Sequence, residues 1–259
     1  MDEDTWQKTV KTLAEQGAMK QTIDASKAFA DKCLARREAA RAVTMPKKEM
    51  PMIRVLGRQT SGNVQKVLFL LEEIGLKYIR EDYGRQFNNT NTDAYRQLNP
   101  NMKVPTLVDG DLVIWESHTI LRYLAALHQP KLNGATPAER TYVERWMDWL
   151  LGSLNSPYVA VFKDAKKLPA ERGADFAAQS ADLVAQLKIL DGHLAAKSWV
   201  ALDQLTLADI ALGPIVARCL DFPIDRPPFA ELTRWLTAIQ SRPAFAVATG
   251  ARPSALNAA

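Results

Sequence analysis

The fold is decided by one stretch, residues 99–123, which reads NPNMKVPTLVDGDLVIWESHTILRY. Within it, residues 104–108 predict a short strand that is entered through a proline, and residues 112–114 predict the returning strand. Asp109 and Gly110 lie between the two strands, and this pair is a strong signal for a two-residue hairpin turn. Apolar side chains then recur at helical spacing, so the stretch predicts a hairpin followed by a helix.

Two features of this stretch indicate a ligand groove. Proline cannot donate to a sheet ladder, so Pro105 predicts either an ordinary trans proline at a sheet edge or a cis Val104–Pro105 bond. A cis bond would turn the backbone of Val104 outward, where it could pair with a peptide-like ligand as an added strand. Ser117 at the helix start, with free backbone N–H groups beside it, favours a carboxylate. Together they predict a groove for a small extended peptide.

The elements predicted before this stretch complete a small domain. In chain order they are a strand, a helix, a strand and a short helix: 53–57, 64–75, 78–83 and 94–98. Parallel strands joined by a helix come first and a hairpin follows, which is the order of a thioredoxin-like domain. We place this domain at residues 51–128.

Beyond a linker rich in proline, glycine and asparagine at residues 128–137, only helical periodicity remains. Thr206 and Asp209 form a predicted capping box ahead of a stretch that is apolar nearly all round, so that helix is expected at a buried centre. The other predicted helices are 138–155, which Pro157 is expected to end, 175–194 and 229–240. An all-helical domain is therefore predicted at residues 137–255.

Residues 1–50 stand apart as a predicted helical N-terminal extension. Trp6, Val10 and Leu13 recur at helical spacing, and a second amphipathic helix is expected to follow, carrying Cys33. Both helices are thinly apolar, so they must dock on another surface or remain marginal. The extension predicts either a partner-binding or dimer-reinforcing arm, or a segment ahead of a natural start near Met50.

Composition argues against several functional classes. The net charge of +4 and the pI near 9.0 are mild, and no basic run is interleaved with aromatics, which argues against nucleic-acid binding. The two cysteines and three histidines are scattered, so neither a disulfide scaffold nor a metal site is expected. No apolar run is long enough for a membrane span, and the acidic start is unlike a signal peptide. We therefore expect a cytoplasmic protein.

Over residues 52–248 the chain resembles the cytosolic glutathione transferase family. The matching features are Val104-Pro105, the Asp109-Gly110 hairpin, Glu116-Ser117 before a helix, the proline-bearing linker and the internal capping motif. The resemblance implies an α/β half followed by an all-α half: a thioredoxin-like domain that binds glutathione, then a helical bundle. The first fifty residues lie outside it.

The resemblance also implies a place for thiol activation. A thiol with an ordinary pKa of about 8.5 is mostly protonated at neutral pH, so the thiolate needs a hydrogen-bond donor near a helix N-terminus. Ser61, ahead of the first helix, is similar in position to the activating serine of theta-like bacterial transferases. Asn63 is the rival donor, and either residue could instead only cap the helix. No tyrosine or cysteine occupies this turn.

Other roles are carried over from the family onto matching residues. Val104 would pair its backbone with the cysteinyl part of glutathione. Glu116 would hold the γ-glutamyl amine and Ser117 its carboxylate. Lys103 would meet the glycine carboxylate, unless it is only a solvated surface lysine. The second substrate is expected between the two halves, and candidates for its wall are Trp146, Trp149, Tyr158 and Phe162.

The function that the resemblance implies is a serine-type transferase acting in detoxification. Glutathione thiolate, stabilised mainly by Ser61, would attack an electrophilic carbon of a small hydrophobic substrate, in a cytoplasmic homodimer. One alternative is a glutathione-dependent disulfide reductase or ether-cleaving enzyme that uses Asn63 as well. Another is a transferase-like binding module without catalysis, which the N-terminal extension would suit.

Overall fold

The computed structural model describes residues 3–15 and 52–256, which belong to two separate compact units, 1–50 and 51–259. The described part of the first unit is one helix, α1 (Glu3–Glu15), as predicted. The Thr9 and Thr12 hydroxyls each donate to the carbonyl four residues earlier, at 2.8 Å and 2.9 Å. The second helix expected in this extension, including Cys33, lies outside the described residues.

A four-stranded sheet with the spatial order β2-β1-β3-β4 forms one layer of the second unit. Its strands are β1 (Ile53–Leu56), β2 (Tyr78–Glu81), β3 (Thr106–Asp109) and β4 (Leu112–Trp115). Strands β1 and β2 are parallel, so they need a crossover, which helix α2 (Gly62–Glu73) supplies. The remaining pairs are antiparallel, and a short helix, α3 (Asp93–Leu98), precedes β3. The predicted thioredoxin-like order is confirmed.

The hairpin between β3 and β4 differs from the prediction by one position. Asp109 pairs with Leu112, so the two loop residues are Gly110 and Asp111. Gly110 has a φ of 60°, a conformation that glycine adopts without the steric cost of a Cβ. The Val104–Pro105 bond is cis, and both residues precede β3, so the strand begins later than residues 104–108 predict.

All the longer elements after the hairpin are helices, as predicted. They are α4 (Ser117–His128), α5 (Pro137–Trp149), α6 (Asn155–Asp164), α7 (Phe176–His193), α8 (Leu207–Asp221), α9 (Ala230–Gln240) and α10 (Pro243–Thr249). Single 3₁₀ turns lie at Arg85–Phe87, Pro130–Asn133, Pro169–Glu171 and Leu194–Ala196. None of the helices in the described ranges is long and apolar enough to cross a bilayer.

Pro157 does not end the helix, contrary to the prediction. A π-helical turn, Leu150–Leu154, joins α5 to α6, and Pro157 is the third residue of α6. The π turn keeps the chain hydrogen-bonded here, since the Asn155 N–H donates to the Leu150 carbonyl five residues earlier. Such widened turns and prolines are common places at which a long helix bends without ending. The widened turn before Pro157 therefore lets the chain continue as a helix.

Helix α8 is the buried centre of the helical half, as its apolar sequence predicts. Its capping carboxylate, Asp209, is fully buried and accepts four hydrogen bonds. Oδ2 accepts from the Thr206 N–H and hydroxyl, both at 2.9 Å, while Oδ1 accepts from Val200 N–H at 2.8 Å and Trp235 Nε1 at 2.9 Å. The predicted cap thus also fastens the preceding loop and α9 to the start of α8.

Helix α10 was not predicted, and it packs back against α2. The ring of Phe245 meets Phe69 edge to face, with centroids 5.5 Å apart. Gln59 Nε2 donates to the Val247 carbonyl at 2.7 Å, and Arg242 forms an ion pair with Glu73. The sequence pattern shows only that α9 ends at Arg242-Pro243, because a new helix of seven residues is too short for a clear period.

Replacing Asp209 tests the capping network. Asp209→Ala leaves three buried donors unpaired besides the Thr206 hydroxyl, so the free energy of unfolding should fall by about 3–5 kcal/mol. Glu139→Ala is the matched control, since Glu139 caps α5 through Thr136 in the same way but is only half-buried and its capping hydrogen bonds are exposed. Its loss should cost about 1 kcal/mol. Urea unfolding of both variants measures the difference, and equal losses would contradict the importance of burial.

Candidate functional site

Four of the six predicted site residues line one cavity of about 290 Å³. It lies beside the turn after β1 and the loop before β3. Ser61, Asn63, Lys103 and Val104 all border it. The residues that complete its lining are Arg58, Gly84, Arg85, Thr90 and Met102. The structure therefore brings the proposed thiol-activating turn and the proposed peptide-pairing loop together.

Ser61 is the N-cap residue of α2, with an extended backbone (φ −84°, ψ 124°). Its side chain makes no capping hydrogen bond, and the hydroxyl has no hydrogen-bond partner within the described ranges. Ser61 is only 8% exposed, yet it borders this cavity and a neighbouring one of about 170 Å³. The hydroxyl is thus uncommitted at the positive end of a helix, where a negative charge is stabilised.

Asn63 is the second residue of α2, within its first turn, and is exposed. It borders the same two cavities as Ser61. Its position gives it the same access to a bound group, so the structure leaves both candidate donors in reach of one site. Thr60, the residue before Ser61, uses its carbonyl to accept from Arg218 at 3.0 Å.

A buried polar network holds the loop that carries Lys103 and Val104. The hydroxyl of Tyr95 donates to the Lys103 carbonyl at 2.8 Å and lies 2.9 Å from the Thr106 hydroxyl. Asn99 Nδ2 donates to the same two oxygens, at 2.8 Å and 3.1 Å. Sequence reasoning gave Asn99 only a helix-stopping role. Its spacing from Lys103 carried no signal for this network, which depends on tertiary placement.

Glu116 and Ser117 stand at the start of α4, as predicted, but neither lines the 290 Å³ cavity. Glu116 is the N-cap residue and is exposed, with a φ of 69°. That conformation is rare for a residue with a Cβ and costs on the order of 1–3 kcal/mol. Ser117 is 5% exposed, at the first helical position. Strained backbone of this kind is typical of functional sites.

A buried pair of bases lies directly behind this corner. Lys66 of α2 is 1% exposed and His118 of α4 is 2% exposed, and Lys66 Nζ lies 3.1 Å from His118 Nε2. Burial lowers the pKa of Lys66 to about 7, although the negative charge of Glu116 acts to raise it. Burial and the charge of Lys66 lower the pKa of His118 to about 2. His118 is therefore neutral, and among the described residues its Nδ1 has no hydrogen-bond partner.

Three arginines border the Ser61 side of the site, and sequence reasoning did not single them out. Arg58 lines both cavities, Arg85 also lines both, and Arg218 of α8 lines the 170 Å³ cavity. Burial and the charges of Arg85 and Arg218 lower the pKa of Arg58. Arg58 occurs in the turn that the sequence highlights, but the other two come from distant segments, so no local pattern joins them.

Two of the four aromatics proposed for a second-substrate wall lie where they were expected. Tyr158 and Phe162 of α6 line the 170 Å³ cavity. Trp146 is buried and packs against Trp149 and His193, with ring centroids 5.2 Å and 4.4 Å away. Neither tryptophan lines the cavities around Ser61. Helical spacing alone did not separate the core aromatics from the cavity aromatics.

Two family models match this chain. The model described as the N-terminal domain of glutathione S-transferases matches residues 60–127. The model for the C-terminal domain of the same family matches residues 154–243. The two models thus cover strands β2, β3 and β4 with the helices between and after them, and most of the helical half, while β1 lies ahead of the first match.

Individual relatives agree with the family models. The chain is 35% identical over 198 residues to glutathione S-transferase GstB of Escherichia coli strain K12, covering 74% of this chain and 95% of that protein. It is 29% identical to glutathione S-transferase 4 of Zea mays, covering 75% and 90%. A theta-class glutathione S-transferase from Xanthomonas axonopodis pv. citri, solved with glutathione bound, matches with a TM-score of 0.74 and 38% identity, covering 80% of this chain and 100% of that one.

The buried lysine predicts an unusual pH dependence of stability. Because its folded pKa is near 7 and a free lysine titrates near 10.5, the unfolded chain binds more protons between these values. Folding stability should therefore rise above pH 7, by up to about 1.4 kcal/mol per pH unit. Lys66→Met should abolish that rise, as measured by urea unfolding between about pH 7 and pH 9.

Lys77→Met is the matched control for this experiment, because Lys77 is an exposed lysine just beyond the same helix. The difference in free energy of unfolding between Lys77→Met and the original chain should not change with pH. If the Lys66→Met difference is flat as well, Lys66 is not held at a lowered pKa in the folded protein.

Proposed function

This chain belongs to the glutathione S-transferase family, and we propose that Ser61 is the residue that activates the glutathione thiol. Glutathione is its co-substrate, and its activity is conjugation of the thiol to an electrophile. The single observation that supports the role of Ser61 is its free hydroxyl at the N-terminus of α2, within the cavity that Val104 also lines. A serine that only capped the helix would have its oxygen engaged with the backbone.

The chemistry follows from this placement. The Ser61 hydroxyl donates a hydrogen bond to sulfur and so favours the thiolate over the thiol. The partial positive charge at the start of α2 acts in the same direction. The thiolate then attacks an electrophilic carbon, a carbon–sulfur bond forms, and the leaving group departs with its electron pair. Holding both reactants next to each other at Ser61 supplies much of the rate enhancement.

The remaining contacts to glutathione are proposed for the other site residues. The backbone of Val104 pairs with the cysteinyl part, and Lys103 meets the glycine carboxylate. Glu116 and Ser117 hold the γ-glutamyl end, at its amine and its carboxylate. The rare backbone conformation of Glu116 and the burial of Ser117 support this assignment, because both fix the corner before a ligand arrives.

A homodimer is proposed on the basis of exposed apolar side chains. Trp115 at the end of β4 is 37% exposed, Leu127 of α4 is 57% exposed and Tyr142 of α5 is 45% exposed. Exposed aromatic side chains of this kind are enriched at subunit interfaces. Sedimentation equilibrium should give twice the mass of the 28.8 kDa chain, and a monomer at micromolar concentration would contradict the proposal. We also retain the cytoplasmic location and the two domains, 51–128 and 137–255, as proposals.

The Ser61→Ala variant tests the proposed activation. Its kcat/KM should fall by about 10²–10³, because a donor aimed at the developing charge is lost. The pKa of bound glutathione thiol, followed by the ultraviolet absorbance of the thiolate, should rise. The affinity for glutathione, measured by calorimetry, should change less than about tenfold. The hydrogen bond from Ser61 stabilises the thiolate relative to the thiol and contributes little to the binding of the rest of glutathione.

Asn63→Ala is the companion variant, because Asn63 borders the same cavity. It should leave the thiol pKa nearly unchanged. If Asn63→Ala raises the thiol pKa and Ser61→Ala does not, Asn63 is the activating residue, and reduction of a mixed glutathione disulfide becomes the activity to measure. If neither variant alters it while glutathione still binds, the chain acts as a binding module.

A further inference from the structure

We propose that the electrophile taken by the 170 Å³ cavity carries a carboxylate, which the cations Arg85 and Lys163 recognise. The inference rests on the proposed function and extends it from an apolar electrophile to an apolar electrophile with an anionic group. It comes from the charge balance of the cavity next to Ser61.

The lining of this cavity carries four cations and no carboxylate. The cations are Arg58, Arg85, Lys163 and Arg218. None of the four forms an ion pair with any residue in the ranges that the structure describes. Buried or clustered cations ordinarily have anionic partners, because like charges gathered at one place repel. The cavity therefore has the charge of a site that is completed by an anion.

Arg58 gives a second, independent sign of a missing partner. Its Nε is shielded from solvent and has no hydrogen-bond partner in the part of the chain that the structure describes. Gly84 leaves the room that this guanidinium occupies, since a Cβ there would lie 2.9 Å from Arg58 Nη1. A buried, unpaired N–H donor costs about 1–3 kcal/mol, so an acceptor delivered by a ligand would recover that cost.

The carboxylates of glutathione account for only part of this charge. Arg58 and Arg85 also border the 290 Å³ cavity assigned to glutathione, so they are within reach of its anionic ends. Lys163 and Arg218 line the 170 Å³ cavity but not the 290 Å³ cavity. Arg218 is fixed by donating to the Thr60 carbonyl at 3.0 Å and to Gln65 Oε1 at 2.6 Å. A second substrate in the 170 Å³ cavity would therefore meet Lys163 directly and Arg85 where the two cavities adjoin.

The same cavity offers an apolar wall for the body of that substrate. Tyr158 and Phe162 line it, with ring centroids 5.9 Å apart. The Arg85 guanidinium lies 5.3 Å from the centre of the Phe162 ring, so a cation stands at the edge of the wall. An aromatic carboxylate that stacks on the wall would place its charge among the cations. This combination selects an aryl carboxylate with a leaving group.

The test compares two electrophiles that differ in charge alone, 4-chloro-3-nitrobenzoate and 4-chloro-3-nitrobenzamide. With either, sulfur bonds to the carbon that bears chlorine, chloride leaves with the bonding pair, and the thiol proton goes to solvent. Each kcat/KM is divided by the rate constant with glutathione alone, which removes the difference in intrinsic reactivity. The benzoate should be preferred by at least about tenfold, and the preference should shrink as salt is added.

Lys163→Gln and Arg85→Gln should each lower the benzoate-to-benzamide ratio, by roughly threefold to tenfold. Lys188→Gln is the matched control, since it removes one exposed lysine from α7, away from the cavity. Its ratio should equal that of the original chain. A ratio near one in the original chain, or one that neither cavity variant alters, would overturn the inference.

Binding separates this inference from the proposed function. The protein saturated with S-methylglutathione, which cannot react, is titrated with each aryl chloride by calorimetry. Tighter binding of the benzoate, weakened by Lys163→Gln, supports the inference even if no turnover occurs, in which case only thiol activation has failed. Equal binding of benzoate and benzamide overturns the inference, and it does so whether or not the benzamide is conjugated.

Discussion

The burial of helix α2 is the constraint on which the rest of the structure depends. Every residue from Val64 to Leu71 is buried, and helices α4, α8 and α10 lie against it, while its apolar side chains share one core with those of β1 and β3. Its N-terminus is held at close quarters, since a Cβ on Gly62 would lie 2.8 Å from Ile215 of α8. Ser61 is therefore placed by the packing of the whole unit and not by its own turn.

Most of the fold could be predicted from the sequence, because apolar residues recur at the two-residue period of strands or the 3.6-residue period of helices wherever one face of an element is buried. Strands β1 and β2 and the capping box at Thr206 appear where they were expected, and the hairpin after Pro105 is displaced from its predicted position by one residue. The errors lie where local rules conflict with tertiary packing. Pro157 does not end its helix, because a widened turn precedes it, and α10 is too short to show a period of its own.

The candidate site could be predicted in part. Ser61, Lys103 and Val104 carried signals because they sit at a helix start and before a strand proline, which are local features. Arg85 and Arg218 carried none, because Arg85 lies in the turn after β2 and Arg218 lies on α8, and both become neighbours of Ser61 only in the folded unit. The same holds for Lys66, whose apolar surroundings cannot be deduced from its position on a helix. Charge in this site is a property of the assembled fold.

The contact between α10 and α2 has a consequence for how the chain matures. Synthesis runs from the N-terminus, so the sheet and α2 are made before the helical half, and α10 follows every other described helix. Until α10 arrives, Phe69 and its neighbours lack the ring of Phe245 and the bonds from Gln59 to the α10 backbone. The core around α2 is thus completed only when α10 has been synthesised. Until then the nascent chain exposes apolar surface of α2, which is prone to aggregation.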